Sequence, residues 1–106
     1  MLVIHTNPGK TNRIEGVSHG ATVSVILSRN APGHGTRLHR HPYDETWVVQ
    51  EGSITFQAGD AVHHARPGDV INVPAGTPHK FTSDGPGLCD VVCIHPSPSI
   101  VEEYLD

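Results

Sequence analysis

The chain has 106 residues, seven Lys and Arg against eleven Asp and Glu for a formal charge of −4, nine histidines and two cysteines. That length supports one domain and one core, and the mild acidity argues against a nucleic-acid binder without being large enough for a disordered acidic tail. Eleven glycines and nine prolines make up nearly a fifth of the chain, against an ordinary share of roughly 12%; this predicts many turns between short strands and excludes a helix bundle.

The elements follow in chain order. Met1–His5 carries no basic segment followed by an apolar one, so no secretory signal is visible. Apolar runs of four or five residues are far too short for a membrane span, so a cytoplasmic location with no membrane partner is expected. Asn7-Pro8-Gly9 ends a first strand, and Gly16 to Gly20 form a turn. Ala21 to Ser28 alternates Val23, Val25 and Leu27 with Thr22 and Ser24, the pattern of a half-buried strand. After the loop Asn30 to Gly35, Thr36 to His41 reads as a strand stopped by Pro42. Glu45 to Gln50 and Ser53 to Gln57 are the next strands, with a tight turn at Ala58-Gly59-Asp60. Ala61 to Ala65 is a short strand, and Arg66-Pro67-Gly68-Asp69 a strong turn. Val70 to Val73, His79 to Ser83 and Leu88 to His95 complete the set. Ser99 to Leu105 reads as a short C-terminal helix, with Ser99 as cap and Glu102 as the capping-box carboxylate. Nine or ten short strands with regular turns predict an all-β barrel or jelly roll.

Cys89 and Cys93 lie four residues apart in one strand, about 13 Å at strand rise. A disulfide needs less than about 7 Å. They are read as small core residues, with a thiolate ligand as the lesser alternative.

The histidines carry the chemistry. His39 and His41 are two residues apart, which on a strand sends both imidazoles to one face. Glu45 returns toward them across the Pro42-Tyr43-Asp44 turn, and His79 follows the rigid Pro74-Ala75-Gly76-Thr77-Pro78 turn. Three neutral nitrogens and a carboxylate suit a divalent transition metal: Fe, Mn, Ni, Co or Zn. An octahedral ion would keep two positions open. A lone His-x-His is more often a hydrogen-bonded core feature, so spacing has to decide.

The spacing Gly33-(5)-His39-(1)-His41-(3)-Glu45-(6)-Gly52 resembles the first cupin motif without a departure. Gly68-(5)-Pro74-(1)-Gly76-(2)-His79-(3)-Ser83 resembles the second, except that Ser83 stands where the family usually has Asn. Nine of ten motif positions match over about half of the chain. The resemblance implies a single-domain cupin jelly-roll barrel spanning residues 1–106, with a metal ion on His39, His41, Glu45 and His79.

Alternation adds cavity candidates. Arg37 shares parity with His39 and His41 and is expected inside, either gripping an anionic group or held in a structural ion pair. Trp47 and Phe81 are expected as apolar walls. One of His63 and His64 should face inward, as a partner of a ligand or simply as a satisfied histidine. His95 either reaches the cavity mouth or ends its strand. His5, His19 and His34 are read as surface residues.

Two functions compete. One is a metal-dependent enzyme acting on a small oxygen-rich or anionic molecule, of dioxygenase or Lewis-acid isomerase, cyclase or decarboxylase type, with Glu45 also able to act as a base. The other is a non-catalytic binding or sensing module of the same fold. Apolar residues facing away from the metal, such as Leu38, Val48 and Ile54, predict a homodimer.

Overall fold

The glycine and proline turns divide the chain into ten strands in a computed structural model that describes residues 2–106. These are β1 (Asn12–Ile14), β2 (Ser24–Asn30), β3 (His39–Arg40), β4 (Glu45–Glu51), β5 (Ile54–Ala58), β6 (Ala61–Ala65), β7 (Val70–Val73), β8 (His79–Ser83), β9 (Cys89–His95) and β10 (Glu103–Tyr104), with one 3-10 turn at Gly16–His19. The expected strand before Asn7 does not form among the described residues 2–6. No helix among the described residues is long and apolar enough to cross a membrane.

Two five-stranded antiparallel sheets face each other, β1-β2-β9-β4-β7 and β10-β3-β8-β5-β6. Trp47, Val49, Val73, Val91 and Cys93 from the first sheet meet Ile54, Phe56, Ala65 and Phe81 from the second. The Trp47 ring stands edge-on to Phe56 and Phe81, with centroids 4.7 and 5.0 Å apart, the arrangement that aromatic quadrupoles favour. Full burial of each such side chain contributes about 1.5–3 kcal/mol. Both cysteines are buried and free.

Two expectations need correction, and the covered face of β2, which alternation left open, is now fixed. In β2 the inward residues are Ser24, Ile26 and Ser28, while Val25 and Leu27 face outward. Ser24 is buried at no loss because its hydroxyl accepts from the Gly16 amide and donates to the Ser97 carbonyl. Ile54 is fully buried in the core, not on the outer face. The C-terminal helix does not form: Glu103 and Tyr104 pair with Arg40 and His39 as β10. The backbone of this segment is claimed elsewhere. The Val101 amide donates to the Tyr43 hydroxyl, its carbonyl accepts from His41, and the Leu105 amide donates to the Leu38 carbonyl. Those tertiary bonds outweigh local helix preference.

Candidate metal centre

Two turns and one strand pair assemble the cluster. His39 and His79 stand opposite each other across the β3–β8 pair. His41 lies one residue past β3, and the turn after it returns Glu45 at the start of β4. The turn before β8 is pinned to the same place. The Gly76 amide donates to the His41 carbonyl (2.8 Å) and the Ala75 amide to Asp44 Oδ1 (2.8 Å). Gly76 has φ of 78°, a left-handed conformation that favours glycine. The candidate ligand atoms of His39, His41, Glu45 and His79 lie within 4.8 Å of one another, and all four residues are buried.

Each imidazole Nδ1 donates to a backbone carbonyl: His39 to Arg37 (2.6 Å), His41 to Val101 (2.7 Å) and His79 to Thr77 (2.8 Å). A carbonyl only accepts, so in the neutral ring the proton sits on Nδ1 and Nε2 carries a lone pair. Glu45 Oε1 lies 3.1 Å from His41 Nε2 and 3.0 Å from His79 Nε2. Lone pairs and an anionic oxygen thus face each other, an arrangement that requires a proton or a metal cation between them. His41 Nε2 has no partner of hydrogen-bond geometry despite its closeness to Glu45.

The electrostatics agree. Burial pushes the Glu45 carboxyl up, but contacts from His41, His79 and His95 outweigh it and hold the group well below the usual carboxylate range. Burial lowers His41, yet the Glu45 carboxylate and the Val101 carbonyl reverse this and leave it raised. His39 is lowered, by burial first and by the neighbouring His79 and His41, against the opposing pull of the Arg37 carbonyl. Burial, with Glu45 nearby, pushes the Cys93 thiol well up, so it is a poor thiolate ligand.

A cavity of about 340 Å³ opens onto His39, Glu45 and His95, walled by Ile26, Trp47, Phe81 and Cys93 and rimmed by Arg13, Arg37, Glu102 and Tyr104. Trp47 and Phe81 stand where alternation puts them. Arg37 does not point into the interior. It is at the rim, largely exposed, paired with Asp106 at 3.3 Å and lying over the Tyr104 ring at 4.2 Å. His63 is not in the cavity. It sits opposite Phe56, but β6 is a sheet edge and its side chain is exposed. His64 is also exposed and contacts Thr55.

His95 is more central than its place at a strand end suggested. It is fully buried, with Nε2 2.9 Å from Glu45 Oε2 and Nδ1 2.7 Å from the Tyr43 hydroxyl. Tyr43 also stacks on His41, ring centroids 5.2 Å apart and planes within 8°. Nothing in the sequence singled out Tyr43, which stands in a turn. Arg13, Glu102 and Tyr104 were missed for a similar reason: they come from segments at the two ends of the chain, outside the motif spacing.

Two facing antiparallel sheets around a buried cluster of three histidines and a carboxylate define a small β-barrel with a candidate metal centre. The cupin domain matches residues 27–95, and the chain belongs to that family. Among curated proteins it resembles the HTH-type transcriptional regulator PuuR of Escherichia coli (strain K12), with 28% identity over 76 residues, 70% of this chain and 40% of the regulator. Among solved structures it superposes on a variant of Bacillus subtilis oxalate decarboxylase with a TM-score of 0.82 and 19% identity, covering 99% of this chain and 30% of the other. It also superposes on a recombinant oxalate oxidase in complex with glycolate, with a TM-score of 0.79 and 17% identity, covering 93% and 58%. The chain therefore spans less than two thirds of each of these relatives.

Proposed function

We propose that the chain is a metal-binding cupin that acts on a small oxygen-rich or anionic molecule, with His39, His41, Glu45 and His79 holding a divalent transition metal. One observation carries the proposal: each histidine has its Nδ1 proton fixed on a carbonyl, leaving the Nε2 lone pairs in one buried cluster with Glu45. When bound, the ion supplies a positive centre that polarises oxygen atoms of a ligand.

The remaining residues support a small anionic or oxygen-rich molecule as the substrate class. Ile26, Trp47 and Phe81 give the space beside the cluster an apolar wall, against which charge interactions are stronger than in bulk water. Arg13 and Arg37 stand at the rim, paired with Glu102 and Asp106, and an incoming carboxylate would compete for or share these guanidinium groups. Glu45, held deprotonated by the histidines, suits a ligand; action as a base requires it to leave them. The solved complex of oxalate oxidase with glycolate supports small carboxylates as the first compounds to try.

A sensing module is the second reading, favoured by the likeness to the PuuR regulator. The test is metal content of protein purified without chelators or a histidine tag, followed by turnover of small mono- and dicarboxylates against metal occupancy. Turnover that scales with occupancy supports the enzyme. Full occupancy with carboxylate binding and no turnover supports the sensing module, and a chain that takes up no metal overturns both.

We also propose a homodimer, with the outer face of the β1-β2-β9-β4-β7 sheet as the covered surface. Val25 lies opposite Ile94, and Leu27 and Val48 both lie opposite Val92. This makes a continuous apolar stripe outside the barrel.

A further inference from the structure

We propose that His95 and Tyr43 are positioning residues for Glu45, holding its Oε2 atom so that Oε1 is the oxygen turned toward His41 and His79. The inference rests on the metal reading of the cluster and concerns two residues that are not among the fixed motif positions.

The proton count around Tyr43 gives the direction of each bond. The Val101 amide reaches the Tyr43 hydroxyl oxygen at 3.2 Å and can only donate. That uses one lone pair and leaves the hydroxyl proton for His95 Nδ1, 2.7 Å away. In neutral His95 the remaining proton is then on Nε2, 2.9 Å from Glu45 Oε2. The reverse assignment leaves the tyrosine proton without His95 as acceptor and turns an Nε2 lone pair onto a carboxylate oxygen. His95 therefore has the opposite tautomer to His39, His41 and His79, whose Nε2 atoms carry lone pairs. The His95 approach to Oε2 falls short of full hydrogen-bond alignment, and Nε2 has no other partner among the described residues. Glu45 Oε2 is thus the acceptor within reach.

Val101 joins the two arms of this arrangement. Its carbonyl fixes His41, and its amide fixes Tyr43, hence His95 and Glu45. One residue of the C-terminal segment orients two of the four cluster members.

The test begins with the metal-free, ¹⁵N-labelled full chain. Long-range ¹H–¹⁵N correlation near neutral pH is expected to show His95 as the Nε2–H tautomer and His39 and His79 as Nδ1–H. An Nδ1–H tautomer or an imidazolium at His95 overturns the proposal. Co(II) titration then reads the consequence. His95→Ala is expected to weaken Co(II) binding about 10- to 100-fold, the usual range for a residue that orients a ligand, and to change the visible spectrum. His95→Gln, which keeps an N–H donor, should recover part of the loss, and Tyr43→Phe should show a smaller loss in the same direction. If His95→Ala folds with wild-type Co(II) affinity and spectrum, the proposal fails. Should His95→Ala not fold, wild-type affinity and spectrum in Tyr43→Phe overturn it instead. A wild-type chain that binds no Co(II) sinks the metal reading, while the tautomer still decides how His95 meets Glu45.

Discussion

His39 and His79 face each other across the β3–β8 pair with ring centroids 4.3 Å apart, and each donates Nδ1–H to the carbonyl two residues before it. The two rings are therefore oriented by the same local device on neighbouring strands. Protonating both would place two buried cations against one another, and the lowered pKa of His39 reflects burial and that neighbour. The pair is built to present lone pairs.

Removing the pair should remove the site. His39→Ala with His79→Ala leaves His41 and Glu45, too few donors for a stable transition-metal centre. The expected result is loss of stoichiometric metal binding by calorimetry or metal analysis. Stoichiometric binding retained by the double variant would show that these residues are not the ligands.

Glu45 should dominate the acid limb of stability in the metal-free chain. Its carboxyl is depressed on folding from an ordinary value of 4.5. It therefore stabilises the folded chain above that pH, and the contribution is lost as pH falls through the folded value. His41 is raised, so its contribution is present below its ordinary 6.5 and is lost as pH rises through the folded value. His39, which is lowered, works against His41 on that side, so the acid limb is the cleaner readout. Melting temperature against pH in a chelator should fall more gently below pH 4.5 in Glu45→Gln than in wild type. An unchanged acid limb would mean that the Glu45 contacts add nothing to folding.

The site was legible where spacing and turn chemistry coincide. Pro74 and Gly76 before His79, and the short turn between His41 and Glu45, are local features that the chain order itself displays. The side chains supporting the ligands were not. Tyr43 and Val101 are 58 residues apart, and no periodicity links them. The ten-strand pattern was readable from the turns, but not which face of β2 is inside. Alternation marks two faces without saying which is covered, and here the buried serines are satisfied by backbone partners while Val25 and Leu27 face out. The expected helix at Ser99 to Leu105 had a sound capping pattern and lost to backbone bonds with Tyr43, His41 and Leu38. Arg37 had the right parity, but its long side chain stays at the rim with Asp106.

Gly35 is where a single methyl group should disrupt the approach to the site. A Cβ there would lie 1.9 Å from the Phe81 carbonyl oxygen, so the segment leading into β3 would have to move away from β8. Gly35→Ala is expected to destabilise the chain by about 3 kcal/mol, at the upper end of ordinary overpacking, and to weaken metal binding. Gly59→Ala provides the comparison. Its φ is +57° and the space around it is open, so backbone strain of about 1–2 kcal/mol is the whole expected effect. Urea unfolding with metal titration on both variants checks this, and equal losses would contradict the close-approach argument.

The apolar stripe outside the first sheet gives a last test. Val92 on β9 lies between Leu27 and Val48, with Val70 next to Val48 on β7. The outer face of the other sheet is more polar at the matching depth, with Thr55 opposite Thr82 and Gln57 opposite Lys80. If a second copy covers the apolar face, a charge at its centre must be desolvated to associate, whereas in the separate chain a lysine stem lies along the stripe with its ammonium in water. Val92→Lys should therefore convert a dimer to a folded monomer in sedimentation at micromolar concentration, with stability changed by about 1 kcal/mol or less. Thr82→Lys, on the other sheet, should leave association unchanged. A wild-type chain that sediments only as monomer would refute the dimer, and a dimer disrupted by Thr82→Lys and not by Val92→Lys would move the interface to the opposite face.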